Sequence, residues 1–398
     1  MKFTCEKSKL ASAIAVAIRT VAPKSAIAAL EGIHVRAGED LQLTGFNLET
    51  GVTVRVEAEI EEAGVCVMPA RLFFDIVRKL PDDDVSFTMD EGRKVNIRSG
   101  IASFSIMAID AEEYPELPDV EFTNGVHIPQ KELRELISGT LFSVSQNLAR
   151  PILTGCLVEV ENDAITMVAV DGFRLARRSY HPAEATGRLM KFVVPADALR
   201  EVEKILADTD EDAVFTLGPR HILFEMGPTT LVCRLLEGEF MDWRRVMPEF
   251  HPISLCANVA SLTDSIERVS LIVSEKIKSP VRCVFSQDRA DFRTVTTLGA
   301  AHDVCSLSGD GKDLEIGFNC RYLLEALKAC PSDCDRLRIR LQTPLMGVVI
   351  EPAEGTTFLN AKPDPTAYGN RAPIAASGDR EMREDMFMYF VMPIRMNG

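Results

Sequence analysis

Alternation of apolar and polar residues marks three short stretches of the chain: "VSFTM" from Val85, "AVFTL" from Ala213 and "LRIRL" from Leu337. A period of two predicts a half-buried β-strand. Each closes a longer segment of common plan: "VMPARLFFDIVRKLPDDDVSFTM" from Val67, "VVPADALREVEKILADTDEDAVFTL" from Val193 and "GFNCRYLLEALKACPSDCDRLRIRL" from Gly317. In each, an apolar strand meets a boundary residue (Pro69, Pro195, Asn319), then a stretch of helical period, an acidic loop and the alternating strand. The boundary residues stand 126 and 124 positions apart.

A second element recurs at the same interval. "KFTCEKSKLASAI" from Lys2, "VHIPQKELRELI" from Val126 and "ANVASLTDSIERV" from Ala257 are each a strand end running into a helix. Paired strands follow, "GIHVRAGEDLQLTGFNLE" from Gly32 and "GCLVEVENDAITMVAVDGFRLA" from Gly155, which share the turn signature GFxL. A third pair, "VRCVFSQDRADFRTVTTL" from Val281, keeps the hairpin pattern and lacks that glycine. The pattern predicts three tandem domains, 1–123, 124–251 and 252–398, a period too long for solenoid repeats or propeller blades. Two helices among many strands predict an α+β class, the helices packed on antiparallel sheet. Turn-forming residues mark the boundaries at "FTNGV" (122–126) and "EFHPIS" (249–254). The stretch "AKPDPTAYGNRAPIAASGDREM" (361–382) reads as an inserted loop before the last strand. That strand lies in "MYFVMPIRMNG" (388–398), an apolar run interrupted by a proline and an arginine.

The chain of 398 residues carries a formal charge of -15, which taken as a sum disfavours a nucleic-acid surface. Distribution alters this. The six predicted helices (6–22, 70–80, 130–143, 197–206, 260–273, 320–329) hold thirteen basic and ten acidic residues, a surplus of three that leaves -18 on the rest. Ordinary salt bridges on solvated faces account for so small a surplus, and so does a helix-lined surface that repels phosphate less than the exterior. Ten cysteines and six histidines are dispersed without a CxxC, so no zinc site and no other metal or cofactor is expected. The acidic runs "PDDDV" (81–85) and "DTDED" (208–212) fall between helix and strand in two repeats, where a solvated turn explains them. Walker A, GxGxxG, GxSxG and HExxH are all missing, so catalysis has no motif to stand on. The longest apolar stretches, 10–18 and 165–170, are too short to span a bilayer, and "MKFTCEKSKL" has no signal-peptide core, so a cytoplasmic protein is expected.

With these repeats, the run "RPILTGCLVEVENDAITMVAVDGFRLARRSY" (150–180), the segment "EFMDWRRVMP" (239–248) and the ending "YFVMPIRM" (389–396), the chain resembles the bacterial β sliding clamps, processivity subunits of DNA polymerase III. The resemblance spans essentially the whole chain. It implies a non-catalytic homodimer, a head-to-tail ring of six domains that encircles double-stranded DNA and reads no bases. It implies as partners the polymerase III catalytic subunit, the clamp loader and other replication and repair proteins, each inserting a short apolar peptide into one pocket. Carried over motif by motif, that pocket comprises Leu153, Thr154, Val170, Gly172, Arg174, Leu175, Met241, Arg245, Val246, Phe390, Met392, Pro393, Ile394 and Arg395. Read without the resemblance, its apolar members are better explained by core packing. Arg174 and Arg245 are expected either stretched over the floor or bonded to the peptide backbone.

For DNA contact, family position and charge point to Lys24, Arg71, Arg78, Arg200 and the loop residues Gln146, Asn147 and Arg150, each also explicable as a solvated polar group. For the protomer contact they point to Leu271 and Ile272 against Phe104 and Ile106 of a second chain, pairs that an intradomain core would also satisfy. Met241 stands where relatives commonly have proline, Phe390 is bulkier than the usual aliphatic residue, and the chain continues past Arg395. Two other readings stay open: a clamp-fold paralogue specialised for repair or drug resistance, and an enzyme using Asp82 and Asp83 with a metal.

Overall fold

The computed structural model describes residues 1–120, 125–248, 250–273, 279–353 and 386–396. The first repeat runs β1 (Lys2–Glu6), α1 (Lys7–Ala17), β2 (Gly32–Ala37), β3 (Leu41–Phe46), β4 (Thr50–Val56), β5 (Glu59–Glu62), β6 (Gly64–Pro69), α2 (Ala70–Lys79), β7 (Asp84–Met89), β8 (Lys94–Ser99) and β9 (Ala102–Met107). The second runs β10 (Val126–Pro129), α3 (Gln130–Leu141), β11 (Gly155–Val160), β12 (Ile165–Val170), β13 (Arg174–Tyr180), β14 (Met190–Pro195), α4 (Ala196–Ile205), β15 (Asp212–Leu217), β16 (His221–Met226) and β17 (Thr229–Arg234). The third runs β18 (Ile253–Asn258), α5 (Val259–Ser270), β19 (Val281–Phe285), β20 (Arg289–Thr296), β21 (Gly299–Gly309), β22 (Leu314–Phe318), α6 (Cys320–Lys328), β23 (Arg336–Leu341), β24 (Val348–Pro352) and β25 (Phe387–Val391). Three α+β domains, each with two helices on antiparallel sheet, are thus the architecture. The expected insertion at 361–382 lies outside the described residues.

The boundary residues act as expected. Proline cannot donate to a helix interior, and Pro69 stands immediately before α2. Asn319 caps α6 by accepting the Arg321 N–H at 3.0 Å, and Asn258 caps α5 from Ser261 at 2.9 Å. Each helix then buries one apolar stripe: Ala70, Phe73, Ile76 and Val77 on α2, Cys320, Leu323, Ala326 and Leu327 on α6.

Two compact units result, Met1–Arg134 with Asp197–Leu235, and Glu135–Ala196 with Leu236–Gly398. The central repeat therefore contributes β10 and β15–β17 to the first unit and β11–β14 to the second. In the first unit, one sheet has the order β5-β1-β7-β8-β9 and another the order β10-β15-β16-β17-β4-β3-β2-β6. Phe3 stacks on Phe87 at 4.7 Å beneath Phe73, which knits the smaller sheet to α2. In the second unit a single sheet of twelve strands runs β14-β11-β12-β13-β25-β24-β23-β18-β21-β20-β19-β22. One rule joins consecutive repeats: β4 pairs with β17, and its counterpart β13 pairs with β25.

The GFxL signature shared by the first two hairpins is out of register. Phe46 pairs with Gly51 and Val170 with Leu175, so Gly172 corresponds to Leu48 and not to Gly45. Both turns are built alike: the Asn47 side chain accepts from Glu49 and Thr50 before Leu48 at φ +75°, and Asp171 accepts from Phe173 and Arg174 around Gly172 at φ +93°. Gly45 is needed for a different reason, since a side chain there would collide with the Ala17 carbonyl. The third hairpin does use a glycine, Gly299 at φ +143°, one residue beyond the quoted stretch.

Candidate functional site

The pocket expected from the sequence begins as a row of side chains. Across β12, β13, β25 and β24 the register sets Val170 beside Leu175, Leu175 beside Phe390, and Phe390 beside Val349. All four are at most 4% exposed and belong to one apolar cluster with Leu153, Phe240 and Trp243. Leu153 comes from a short 3₁₀ turn, Pro151–Thr154, in which Thr154 Oγ1 donates to the Pro151 carbonyl at 2.7 Å. Sequence reasoning missed Val349, Phe240 and Trp243.

Trp243 belongs to a second 3₁₀ turn, Trp243–Val246, anchored by a buried carboxylate. Glu159 on β11 accepts from Trp243 Nε1 at 3.3 Å and from Arg244 Nη2 at 3.1 Å, with Lys191 Nζ 3.4 Å away. Burial alone would raise the Glu159 pKa; the bonds from Arg244, Trp243 and Lys191 outweigh it and hold the carboxyl below its ordinary range. Arg244 also lies over the Trp243 ring at 4.4 Å. Neighbouring Met241 and Val246 are 38% and 36% exposed, and Arg245 is exposed, paired with Asp242 at 3.1 Å.

After β25 the chain leaves the sheet. Met392 N–H donates to the Phe173 carbonyl at 2.8 Å and Ile394 N–H to the Gly317 carbonyl at 2.7 Å. Pro393, with no N–H to give, falls between these anchors, so the interruption of the apolar run marks the point where the strand becomes a bridge. Met392 and Ile394 are 38% and 37% exposed, Arg395 is exposed, and Met396 packs against Gly317. A buried floor and a half-exposed rim of methionine and aliphatic side chains can take an apolar anchor from a partner.

Arg174 is elsewhere. Successive residues of a strand point to opposite faces, and Arg174 lies on the helix face, opposite Leu175. Its Nε donates to Asp171 at 2.9 Å, Nη1 meets Glu325, and its guanidinium lies over the rings of Tyr322 at 4.4 Å and Phe142 at 5.4 Å. Only 7% exposed, it ties the Asp171–Phe173 turn, and through Phe173 the Met392 anchor, to α6 and to Phe142 just past α3.

Of the residues expected at DNA, Lys24, Arg71, Arg78 and Arg200 lie in the first unit and Gln146, Asn147 and Arg150 in the second; all seven are exposed. Arg71 and Arg78 share one carboxylate, Asp75, at 3.3 and 3.4 Å on the solvent face of α2, so that face keeps a positive surplus. Arg200 is paired with Asp197 on a helix that also carries Glu201 and Glu203, which cancels it. Of the expected dimer residues, Phe104 and half-buried Ile106 lie on β9, an edge strand, Leu271 is 83% exposed past the end of α5, and Ile272 is half-buried. Among the described residues no group of three or more His, Cys, Asp or Glu could hold a metal ion, and Asp82 is paired with Lys7 at 2.5 Å. No described helix is long and apolar enough to cross a membrane.

Three tandem α+β domains with an apolar floor across the second domain junction define a processivity-clamp architecture, and the comparisons agree. Family descriptions of the DNA polymerase III beta subunit match residues 1–118 (N-terminal domain), 127–242 (central domain) and 244–361 (C-terminal domain). The chain belongs to the DNA polymerase III beta subunit family, the non-catalytic sliding clamps. It is 29% identical over 344 residues to the beta sliding clamp of Staphylococcus epidermidis, covering 84% of this chain and 91% of that one. A putative DNA polymerase III beta subunit from Eubacterium rectale superposes with a TM-score of 0.87 at 27% identity, and the Bacillus subtilis DNA polymerase sliding clamp with 0.87 at 25%, both covering 100% of each chain.

Proposed function

We propose that this chain is a sliding clamp that encircles duplex DNA as a head-to-tail homodimer and tethers the replicative polymerase, with the clamp loader and repair proteins as further partners. It catalyses nothing and works in the cytoplasm beside the chromosome. The observation that carries the reading is the pairing rule. β4 takes β17 and β13 takes β25, so the corresponding strand of the third repeat, β21, takes β9 of a second copy. Among the described residues, 299–306 of β21 pair with β20 alone and β9 pairs with β8 alone, which leaves both with a free edge. Leu271 and Ile272, with Phe104 and Ile106, supply the apolar contact beside that ladder.

The three repeats take the limits 1–123, 124–251 and 252–398. DNA faces the basic side of α2 through Arg71 and Arg78, with Lys24, Arg200, Gln146, Asn147 and Arg150 as weaker contacts, because a clasp that slides is hindered by tight phosphate bonds. Partner peptides bind over the row of Val170, Leu175, Phe390 and Val349, with Leu153, Met241, Val246, Met392 and Ile394 around it. Arg174 and the Gly172 turn position the rim, while Thr154, Arg245, Pro393 and Arg395 border it. A specialised paralogue is not favoured, since the named relatives are sliding clamps.

The test is to load the protein on circular and on linear DNA. Retention on the circle with escape from free ends is the expected result, and equal retention on both sinks the topological clasp. Met392→Ala with Pro393→Ala is expected to weaken polymerase-peptide binding by about tenfold while the dimer persists. Unchanged affinity removes the tail from the site.

A further inference from the structure

Three members of the floor row are valine or leucine, and Phe390 is the large one. Its ring has a particular seat. Gly347 lies just before β24, and a side chain there would overlap the Phe390 ring edge and approach the Val391 carbonyl oxygen to 2.9 Å. The glycine is required by space, because the ring rests on bare backbone. Leu175 and Val349 stand opposite Phe390 on the two neighbouring strands, and Phe390 is itself 3% exposed. A ring confined in this way has no free volume to yield.

We propose that Phe390, admitted by Gly347, sets the depth of the floor and selects an aliphatic over an aromatic anchor in the partner peptide. The proposal rests on the pocket reading above and names its specificity-determining pair. A phenyl group already fills the middle of the row, so an anchor with a second ring meets a raised floor, whereas a leucine side chain fits above it. Gly347 and Phe390 form one device: enlarging the first without shrinking the second drives the ring toward the site.

The experiment measures binding of the full-length protein to two acetylated hexapeptides identical except for leucine or phenylalanine at the anchor. Wild type is expected to favour the leucine peptide by roughly tenfold, about the discrimination one misfitted apolar group gives. Phe390→Val is expected to erase or reverse that preference, and Phe390→Leu to halve it on a logarithmic scale while disturbing the core less. Gly347→Ala is expected to weaken both peptides, and adding Phe390→Val to restore them. If thermal melting shows Phe390→Val unfolded, Phe390→Leu decides. An unchanged preference in folded variants that still bind overturns the proposal. Failure of wild type to bind either peptide overturns the pocket reading itself.

Discussion

Strands β5 and β9 close the two edges of one five-stranded sheet, β5 with the sequence EIEE and β9 with ASFSIM. Among the described residues, both leave backbone donors and acceptors unpaired on one side. On β5, Glu59, Glu61 and Glu62 are exposed, Lys2 holds Glu61 at 2.6 Å, and Glu57 just before the strand holds Lys9 at 2.6 Å. A second strand could dock there only by stripping water from charges. β9 carries no charge and leaves Phe104 at 38% and Met107 at 59% exposed. The same backbone liability is guarded by charge on one edge and left available by apolar residues on the other, which teaches that the sheet is built to be extended on one side only.

The comparison breaks most directly if β9 is given the character of β5. Ile106→Lys is expected to abolish dimerisation at micromolar concentration, with light scattering reporting the 43.9 kDa mass of one chain. A surviving dimer would remove β9 from the contact. The converse change, Glu59→Thr with Glu61→Val, is expected to lower the concentration at which species larger than the dimer form by roughly tenfold, about 1.4 kcal/mol, as read by sedimentation velocity. No new species would mean that charge is not what keeps β5 single.

A smaller effect follows from pH. The hydrogen bond and charge of Lys9 hold the Glu57 carboxyl below its ordinary range. A depressed carboxylate stabilises the fold above its unfolded pKa of about 4.3, and the contribution is lost as pH falls through the lowered value. Lys9→Met is therefore expected to lower Tm near neutrality by no more than about a degree and to flatten its fall below pH 4.3. A Tm profile identical to wild type in calorimetry would show that the pair contributes nothing.

Much of this was legible. The two periodicities placed all six helices, and Pro69 and Asn319 marked where two of them begin. Leu153, Val170, Leu175 and Phe390 were named from motifs and came together in one cluster. Val349 was not legible, because inside "MGVVIEP" it looks like any buried strand residue, and only its register opposite Phe390 gives it a role. Arg174 could have been placed: next to Leu175 on a strand, it must face the other way. The GFxL match misled because two hairpins with equal turns carry a glycine at different places, Gly45 in the strand before one turn and Gly172 inside the other, a coincidence that only the pairing register exposes.

The sequence by itself determined the elements and their threefold recurrence, since periods of two and 3.6 and the boundary residues are local properties of a chain that must bury one face of each element. The tertiary structure decided which strands stand at edges and which side chains share a face across them. Val170, Leu175, Val349 and Phe390 meet only because β13 pairs with β25, and β25 with β24. Pairing between strands so far apart in the chain depends on how whole sheets bury their apolar faces together, which no local pattern encodes.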